Sequence, residues 1–234
     1  MIPIRKVSLL DAWLDRRDPL HSFSDLDSHP PNQEFGGFLS LDVVVPVHEG
    51  LDLEAESLAD SWRRTHNYVT SALSIIDADD PLWLDRDEVE MIRETLGEPP
   101  PLCYPIYLIT VGEGEAEKLV YVGKTSSSQG RFKGGHAAFG KLLNPKYDGQ
   151  PKRIYLGAVV LLADDKSYQP LEWVKPLERA ESLLKSIEAQ LIYSYKPELN
   201  THHVQVDNAE WPVSLHIQNF SGVTSFLHDE FCCP

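Results

Sequence analysis

Two runs of β-branched and aromatic residues, separated by a short polar turn, constrain the fold of this chain most strongly. The runs are "YPIYLITVG" from residue 104 and "KLVYVGK" from residue 118, and the turn "GEGEAE" joins them. This pattern predicts a β-hairpin. A third run, "RIYLGAVVLLA" at residues 153–163, predicts a further strand. The second half of the chain is therefore rich in β-structure.

Helical patterns alternate with these strands. Apolar residues recur at helical spacing from about Pro176 to about Tyr195, where Pro197 ends the pattern. A weaker helix, interrupted by two glycines, is predicted over residues 131–144. The resulting order β-β-α-β-α predicts an α+β fold, with a small sheet and helices packed on it.

The first hundred residues differ in composition and carry a net charge of −13. They contain one strand-like run that ends at Pro46, a predicted helix over residues 53–76 and a shorter helix before the cluster "GEPPP". We place a boundary at this cluster, between an acidic N-terminal accessory region (1–100) and a second domain (101–234). The acidic region either packs on the sheet as a subdomain, occludes a basic face, or forms a dimer contact.

Composition restricts the classes of function. A net charge of −15 over 234 residues argues against nucleic acid as a partner, but residues 118–153 carry +7. No apolar run is long enough for a membrane helix, and the N-terminus lacks the features of a secretion signal. The three cysteines fit neither a disulfide framework nor a zinc site. We expect free thiols in a cytoplasmic protein, with a strained vicinal disulfide as the alternative.

Each candidate site residue is ambiguous alone. Tyr107 and Tyr121 fall in adjacent predicted strands, where tyrosine is also an ordinary packing residue. Glu188 falls at the edge of the apolar face of the last helix, where a carboxylate needs either a metal or an ion pair. Lys185 or a basic strand residue would supply that ion pair. Arg131 follows a Ser-rich loop and is either a phosphate ligand or a solvated surface residue.

The order of these residues carries more information than any one of them. "PIY" at 105–107, "YVGKT" at 121–125, Arg131, Glu188 and then Asn200 after "YKPEL" together resemble the GIY-YIG nuclease family. The resemblance covers about residues 104–203. It departs from the family pattern at Pro105 and Val122, which replace Gly and Ile of the two motifs. His136 lies five positions after Arg131, whereas the family's His or Tyr usually lies four after.

The resemblance implies a three-stranded antiparallel sheet flanked by helices, and hydrolysis of DNA phosphodiester bonds with Mg²⁺ or Mn²⁺ as cofactor. Glu188 would bind the metal ion, Tyr107 would accept the proton of the attacking water, and Lys124 would help to lower the phenol pKa. The catalytic candidates by position are Tyr107, Tyr121, Arg131, His136, Glu188 and Asn200, and the candidate DNA contacts are Lys124, Lys133 and Lys141.

Several functions fit this interpretation. The first is a DNA endonuclease, with a restriction or defence enzyme favoured over a repair enzyme. The second is a catalytically lapsed form of the same fold that binds nucleic acid or regulates another protein, and the third is an RNA-directed nuclease. A homodimer is compatible with each of them.

Overall fold

A computed structural model of the chain describes its fold over eight ranges: 7–20, 24–25, 35–52, 56–78, 83–125, 137–162, 168–205 and 209–234. Within these ranges, five α-helices are α1 (Asp11–Leu14), α2 (Leu58–Ile75), α3 (Arg86–Leu96), α4 (Ala137–Lys141) and α5 (Leu177–Tyr195). Nine strands are β1 (Ser24–Asp25), β2 (Phe35–Pro46), β3 (Ile106–Val111), β4 (Lys118–Lys124), β5 (Lys152–Leu162), β6 (Tyr168–Pro170), β7 (Val174–Lys175), β8 (Val213–Asn219) and β9 (Glu230–Cys232). The α+β class is confirmed.

The main sheet is larger than the sequence predicted. Its strand order is β4-β3-β5-β2-β8-β9, and β6 pairs with the end of β5, which gives seven strands. The pairing of β2 with β8 is parallel, and the other pairs are antiparallel. The expectation of a plain three-stranded antiparallel sheet was therefore wrong, because β2 enters between β5 and β8 and extends the sheet. A separate two-stranded parallel pair joins β1 to β7.

The predicted hairpin is confirmed at one edge of this sheet. Strands β3 and β4 pair antiparallel, with Tyr107 opposite Gly123 and Ile109 opposite Tyr121. Strand β3 continues the sheet by pairing with β5, so β4 is the outermost strand among the described residues. The candidate residues of the second motif therefore lie on the edge strand, and Tyr107 of the first motif lies on the strand next to it.

The two faces of the sheet carry separate hydrophobic clusters, because successive side chains of a strand point to opposite faces. On one face, which we call the α5 face, Val122 and Tyr155 pack with Leu184 and Ile187 of helix α5. On the other, which we call the α4 face, the cluster consists of strand residues together with residues near α4, among them Tyr107, Ile154, Leu156, Ala138, Leu142 and Leu199. The hairpin tyrosines belong to the α4 face.

The helices of the first hundred residues form a third cluster. Helix α2 begins after Ser57, whose hydroxyl accepts a hydrogen bond from Asp60 N, and helix α3 begins with a capping box at Asp85. The predicted helix over 53–76 is confirmed as α2. The buried cluster joins residues of α1, α2 and α3 to Trp173 of the second half. The domain boundary at residue 100 stays a prediction, although β2 from the first part lies inside the main sheet.

The described helices and cysteines bear on two further expectations. None of the described helices is both long enough and apolar enough to cross a membrane. Cys103, Cys232 and Cys233 are free thiols, the first two buried and the third exposed. The expectation of free thiols is confirmed.

Candidate functional site

The two motif tyrosines lie side by side on the α4 face. Tyr107 is fully buried, and its ring stacks on that of Tyr121 with 5.9 Å between centroids and 25° between planes. Gly123 makes this arrangement possible. A Cβ at that position would lie 2.5 Å from Tyr107 Cζ and 2.8 Å from Tyr121 Cε1, well inside van der Waals contact. The glycine of the second motif therefore provides the space in which the two rings pack.

Lys124 and Glu188 meet on the opposite side of the same strand. Lys124 Nζ lies 3.1 Å from Glu188 Oε2, and both side chains are part-buried, with 29% and 18% of their surface exposed. Of the partners that the sequence left open for Glu188, the described structure pairs it with a basic strand residue. The place of Lys124 on the strand explains this ion pair. Val122 packs against core residues of α5, and Lys124, two residues later, points to the same face of the sheet.

Asn200 binds the open edge of β4. Its Nδ2 donates to Val122 O and its Oδ1 accepts from Val122 N, both at 2.9 Å. Leu199 N donates to Val120 O at 2.9 Å, so two consecutive residues continue the hydrogen bonding of the sheet. Since both polar atoms of the Asn200 side chain are used in these bonds, the residue acts in this structure as a brace that positions β4.

Strand β4 thus contacts or contains four predicted site residues besides Asn200, namely Tyr107, Tyr121, Lys124 and Glu188. These four residues lie on two different faces of the sheet. Alternation along β4 places Tyr121 on the α4 face with Tyr107, and Lys124 on the α5 face with Glu188. The two pairs are separated by the thickness of the strand at its exposed edge.

The remaining predicted residues are placed less completely. Arg131, Lys133 and His136 lie outside the described residues. Lys141 is exposed on α4, and its Nζ donates to Leu199 O at 2.8 Å. Lys141 therefore supports the same segment that carries Asn200. Its role as a DNA contact stays a prediction.

Other cations of the +7 segment are also used within the fold. Lys152 Nζ donates to Tyr147 O at 2.7 Å, and Arg153 Nη1 donates to Gly112 O at 2.8 Å. Lys146 Nζ lies 2.5 Å from Glu198 Oε2 in a solvent-exposed ion pair. The described part of this segment is therefore less available to a phosphate chain than its composition suggests, because most of its ammonium and guanidinium groups already hold carbonyl or carboxylate oxygens.

The sequence did not predict a buried polar cluster on the α5 face, which consists of Glu117, Thr110 and Tyr155. The Glu117 side chain is 1% exposed. Its Oε1 accepts hydrogen bonds from Thr110 Oγ1 at 2.6 Å and Tyr155 OH at 2.7 Å. Burial, reinforced by this carboxylate, raises the pKa of Tyr155 well above its ordinary value. Oε2 is buried without a hydrogen-bond partner among the described residues.

A second buried carboxyl connects the two halves of the chain. Glu172 Oε1 accepts from Ser61 Oγ at 3.2 Å and from Cys103 Sγ at 3.0 Å. Burial raises the pKa of both Glu172 and Cys103. A thiol in this state is a poor nucleophile, because the thiolate is the reactive form. No local sequence pattern predicts this cluster, since its members are 42 to 111 residues apart.

A divalent cation at Glu188, whose carboxylate is paired with Lys124, stays a prediction. Among the described residues, no group of three or more His, Cys, Asp or Glu side chains is placed to hold a metal ion. Mg²⁺ is often bound through one or two carboxylates, with waters and substrate phosphates as its other ligands. A single carboxylate at the edge of β4 agrees with that mode of binding.

Comparison with known proteins gives no relative for this arrangement. No protein-family model, curated protein or solved structure matches the chain. The resemblance of its motifs to the GIY-YIG nucleases therefore stays a prediction from the residues themselves.

Proposed function

We propose that this protein is a divalent-metal-dependent endonuclease that hydrolyses DNA phosphodiester bonds, with restriction or defence as its setting. One observation carries the proposal. Each of four consecutive residues of β4 has a role at the site. Tyr121 stacks on Tyr107, and Val122 accepts and donates the hydrogen bonds of Asn200. Gly123 leaves space for the two rings, and Lys124 forms the ion pair with Glu188. Packing alone does not require this combination at an exposed sheet edge.

The residues suit the charges of the reaction. Phosphodiester hydrolysis needs a proton acceptor for the attacking water and positive charge near the phosphoryl oxygens. We assign the first task to the phenols of Tyr121, which is part-buried, and Tyr107, which is fully buried beside it, and the Lys124 ammonium supplies charge for the second. A metal ion held by Glu188, when bound, would act as a Lewis acid on the phosphate. Arg131 and His136 are included on their sequence positions alone.

The Lys124–Glu188 ion pair suggests how the free protein stores these groups. The ammonium and the carboxylate neutralise one another at 3.1 Å, so neither charge is left uncompensated in a part-buried position. Binding of a phosphate with its cation would give each group a new partner of opposite charge. The Lys124–Glu188 ion pair would therefore be replaced by two pairs of opposite charge, Lys124 with the phosphate and Glu188 with the cation.

The test is a digestion of plasmid and phage DNA with Mg²⁺, Mn²⁺ or EDTA. It compares wild type with Glu188→Gln, which keeps the shape of the side chain but removes its charge. Glu181→Gln is the matched control, since Glu181 is an exposed glutamate on the same helix. We expect Glu188→Gln to lose at least about 100-fold in cleavage rate, a typical effect of removing one essential electrostatic group. Glu181→Gln should cleave as wild type does.

The pattern of products decides between kinds of nuclease. Discrete fragments that require metal and Glu188 indicate a sequence-specific enzyme, whereas a smear with the same dependence indicates a non-specific or structure-directed one. Metal-dependent cleavage that persists undiminished in folded Glu188→Gln contradicts the assignment of this residue. Cleavage of RNA alone would transfer the assignment to an RNA-directed nuclease.

One observation favours a second candidate, a catalytically lapsed protein that binds nucleic acid or regulates a partner. The carboxylate of Glu188 is engaged by Lys124, and the tyrosines lie on the other face of β4. If folded wild-type protein binds DNA but cleaves neither DNA nor RNA with either metal, this second candidate is the better one.

A further inference from the structure

Five aromatic rings, which we call the aromatic stripe, cross the sheet away from the proposed site. They belong to Phe38, Tyr168, His216, Phe220 and Phe231. The ring of Phe38 is 5.5 Å from that of His216 and 6.0 Å from that of Phe220, measured between centroids. His216 and Phe231 stack at 4.3 Å with 4° between their planes. The rings therefore form one continuous surface.

Three of these rings are too exposed to be core residues, and Phe38 and His216 are part-buried. Tyr168, Phe220 and Phe231 keep 60%, 58% and 69% of their surface exposed. On strands β2, β8 and β9 the alternate residues Leu39, Leu215 and Cys232 are buried on the α5 face. Phe38, His216 and Phe231 therefore point to the α4 face. The stripe lies on the same sheet face as Tyr107 and Tyr121, beyond the part that α4 covers.

The stripe is almost uncharged in a strongly acidic chain. The described strand positions that share this face, other than the rings, are Gly36, Ser40, Ala158, Val160, Leu162, Pro170, Ser214 and Gln218. Among the described residues, two carboxylates border it, and both are hydrogen bonded: Asp229 Oδ1 lies 2.7 Å from His216 Nε2, and Asp42 Oδ1 accepts from Ser40 Oγ. Burial raises the pKa of Asp42. Apart from these two carboxylates, the described strand positions of this face carry no charge that would repel an anionic chain.

We propose that the aromatic stripe binds unpaired bases of a single-stranded nucleic acid by stacking. Rings on an open sheet face, with amide and hydroxyl groups between them, are the elements with which proteins hold unstacked bases. Every base has an aromatic face, whereas the phosphates can remain in solvent, so the stripe needs few cations of its own. The inference rests on the proposed function, because it names a single-stranded portion of the substrate of that site.

The distance to the proposed site is compatible with one bound strand. Tyr107 pairs with Leu156, which pairs with Val43 of β2, and Phe38 lies five residues from Val43 along that strand. Those five residues include a bulge between Leu41 and Val43, and on the facing strand the partners Leu156 and Val160 are four residues apart. Two strand spacings and four residue rises place Phe38 about 16 Å from Tyr107. A few nucleotides would span this gap, so a substrate with an unpaired segment beside the cleaved bond could occupy both.

The test measures binding in EDTA, where a metal-dependent nuclease does not cleave. Fluorescence anisotropy would follow a fluorescein-labelled 20-nucleotide oligo(dT) and a mixed-sequence duplex of 20 base pairs. The variants are Phe231→Ala, Phe231→Leu and Phe231→Tyr. Trp83→Ala is the matched control, because Trp83 is 58% exposed and lies outside the sheet. Thermal melting would check that each variant is folded.

We expect the single strand to bind more tightly than the duplex. Phe231→Ala and Phe231→Leu should weaken single-strand binding at least about fivefold, the lower end of what one base–aromatic stack contributes. Phe231→Tyr keeps the ring and Trp83→Ala lies elsewhere, so both should remain within about twofold of wild type. A Leu variant that binds as wild type would overturn stacking, since Leu retains apolar surface without a ring.

Two other results would also overturn the proposal. One is binding of both oligonucleotides that none of the Phe231 variants changes. The other is a dimer in light scattering that Phe231→Ala dissociates, without single-strand binding, which would make the face a contact between two copies. Binding in EDTA does not need the metal ion that Glu188 would hold, so the binding and cleavage experiments have separate readouts. Loss of Glu188-dependent cleavage therefore reports on the proposed nuclease, and loss of Phe231-dependent binding reports on the stripe.

Discussion

The Gly123→Ala substitution tests the packing of the proposed site directly. The added methyl group would lie 2.5 Å from Tyr107 Cζ and 2.8 Å from Tyr121 Cε1, and closer still to the Tyr107 hydroxyl. Tyr107 is fully buried, so its ring cannot move into solvent to relieve the contact. Overpacking of this kind costs about 1–3 kcal/mol. For a chain of this size, that corresponds to a fall of about 2–12 °C in Tm.

A second glycine provides the control. Gly140 lies in helix α4, and a Cβ there would meet nothing within 4 Å. Gly140→Ala removes only the entropic penalty of a helical glycine, so it should stabilise the protein by about 0.5–1 kcal/mol. The same chemical change is therefore expected to have opposite signs at the two positions.

The assay is thermal melting of both variants at pH 7, followed by DNA cleavage at a temperature where each is folded. Gly123→Ala should melt below wild type and lose cleavage, because the two phenols can no longer stack over the strand. Gly140→Ala should melt slightly above wild type and cleave normally. If Gly123→Ala melts at the wild-type temperature and cleaves at the wild-type rate, the two rings do not pack over Gly123.

Three further predictions concern positions around the site and the core. Asn200→Ala leaves Val122 N–H and C=O without their partner and should cost about 1–3 kcal/mol in urea denaturation; a loss below about 0.3 kcal/mol would contradict the bracing role. Burial lowers the pKa of His66 from 6.5 to about 4, so protonation favours the unfolded state and stability falls as the pH drops from 6.5 towards 4. His66→Phe keeps a ring against Trp62 but cannot be protonated, so its urea midpoint should fall less than that of wild type between pH 7 and pH 5. Equal falls in the two urea midpoints would contradict this role of His66. Tyr155→Phe removes a hydrogen bond to Glu117 and one with Thr224 and should lower stability by about 1–3 kcal/mol without reducing cleavage, which enzyme assays at a permissive temperature would check.

The hairpin could be predicted because its determinants are local. Strands β3 and β4 are separated by six residues, and their β-branched and aromatic residues flank a polar turn. The long helix α5 was predictable for the same reason, from its apolar spacing and the proline that follows it. In both elements the pattern that decides the structure lies within about twenty residues.

The extent of the sheet depends on contacts that the sequence does not display. The residues of β8 do alternate between buried and part-buried positions, which is a strand signal that the sequence analysis missed. Its partner β2 lies more than 160 residues away and pairs with it in parallel, from Phe35 opposite Val213 to Leu41 opposite Asn219. A run of apolar residues shows that a strand is favourable, but it does not show which distant strand it joins.

The candidate site divides in the same way. The stacking of Tyr107 and Tyr121 follows from their places on paired strands. The ion-pair partner of Glu188 could not be predicted from the sequence. Helical spacing places Glu188 at the edge of an apolar face, but it does not show which nearby cation the carboxylate contacts. The bracing role of Asn200 was also inaccessible, since it arises where the chain after α5 passes the edge of β4.

The acidic first half is attached to the site through the sheet, which limits how its charge can act. Strand β2 pairs with β5 from Gly36 to Pro46 and with β8 on its other side, so its removal would leave both neighbours without a partner. The buried carboxyl of Glu172 adds a second link, since it holds Ser61 of α2 and Cys103 together. A truncation at residue 100 would therefore disrupt the fold before it tested any occlusion of DNA. Charge-neutralising substitutions on α3, whose Asp87, Glu90 and Glu94 are exposed, test the same idea in an intact sheet. If the acidic region occludes the basic face, these substitutions should strengthen DNA binding at low salt more than at high salt, because screening weakens exposed charges.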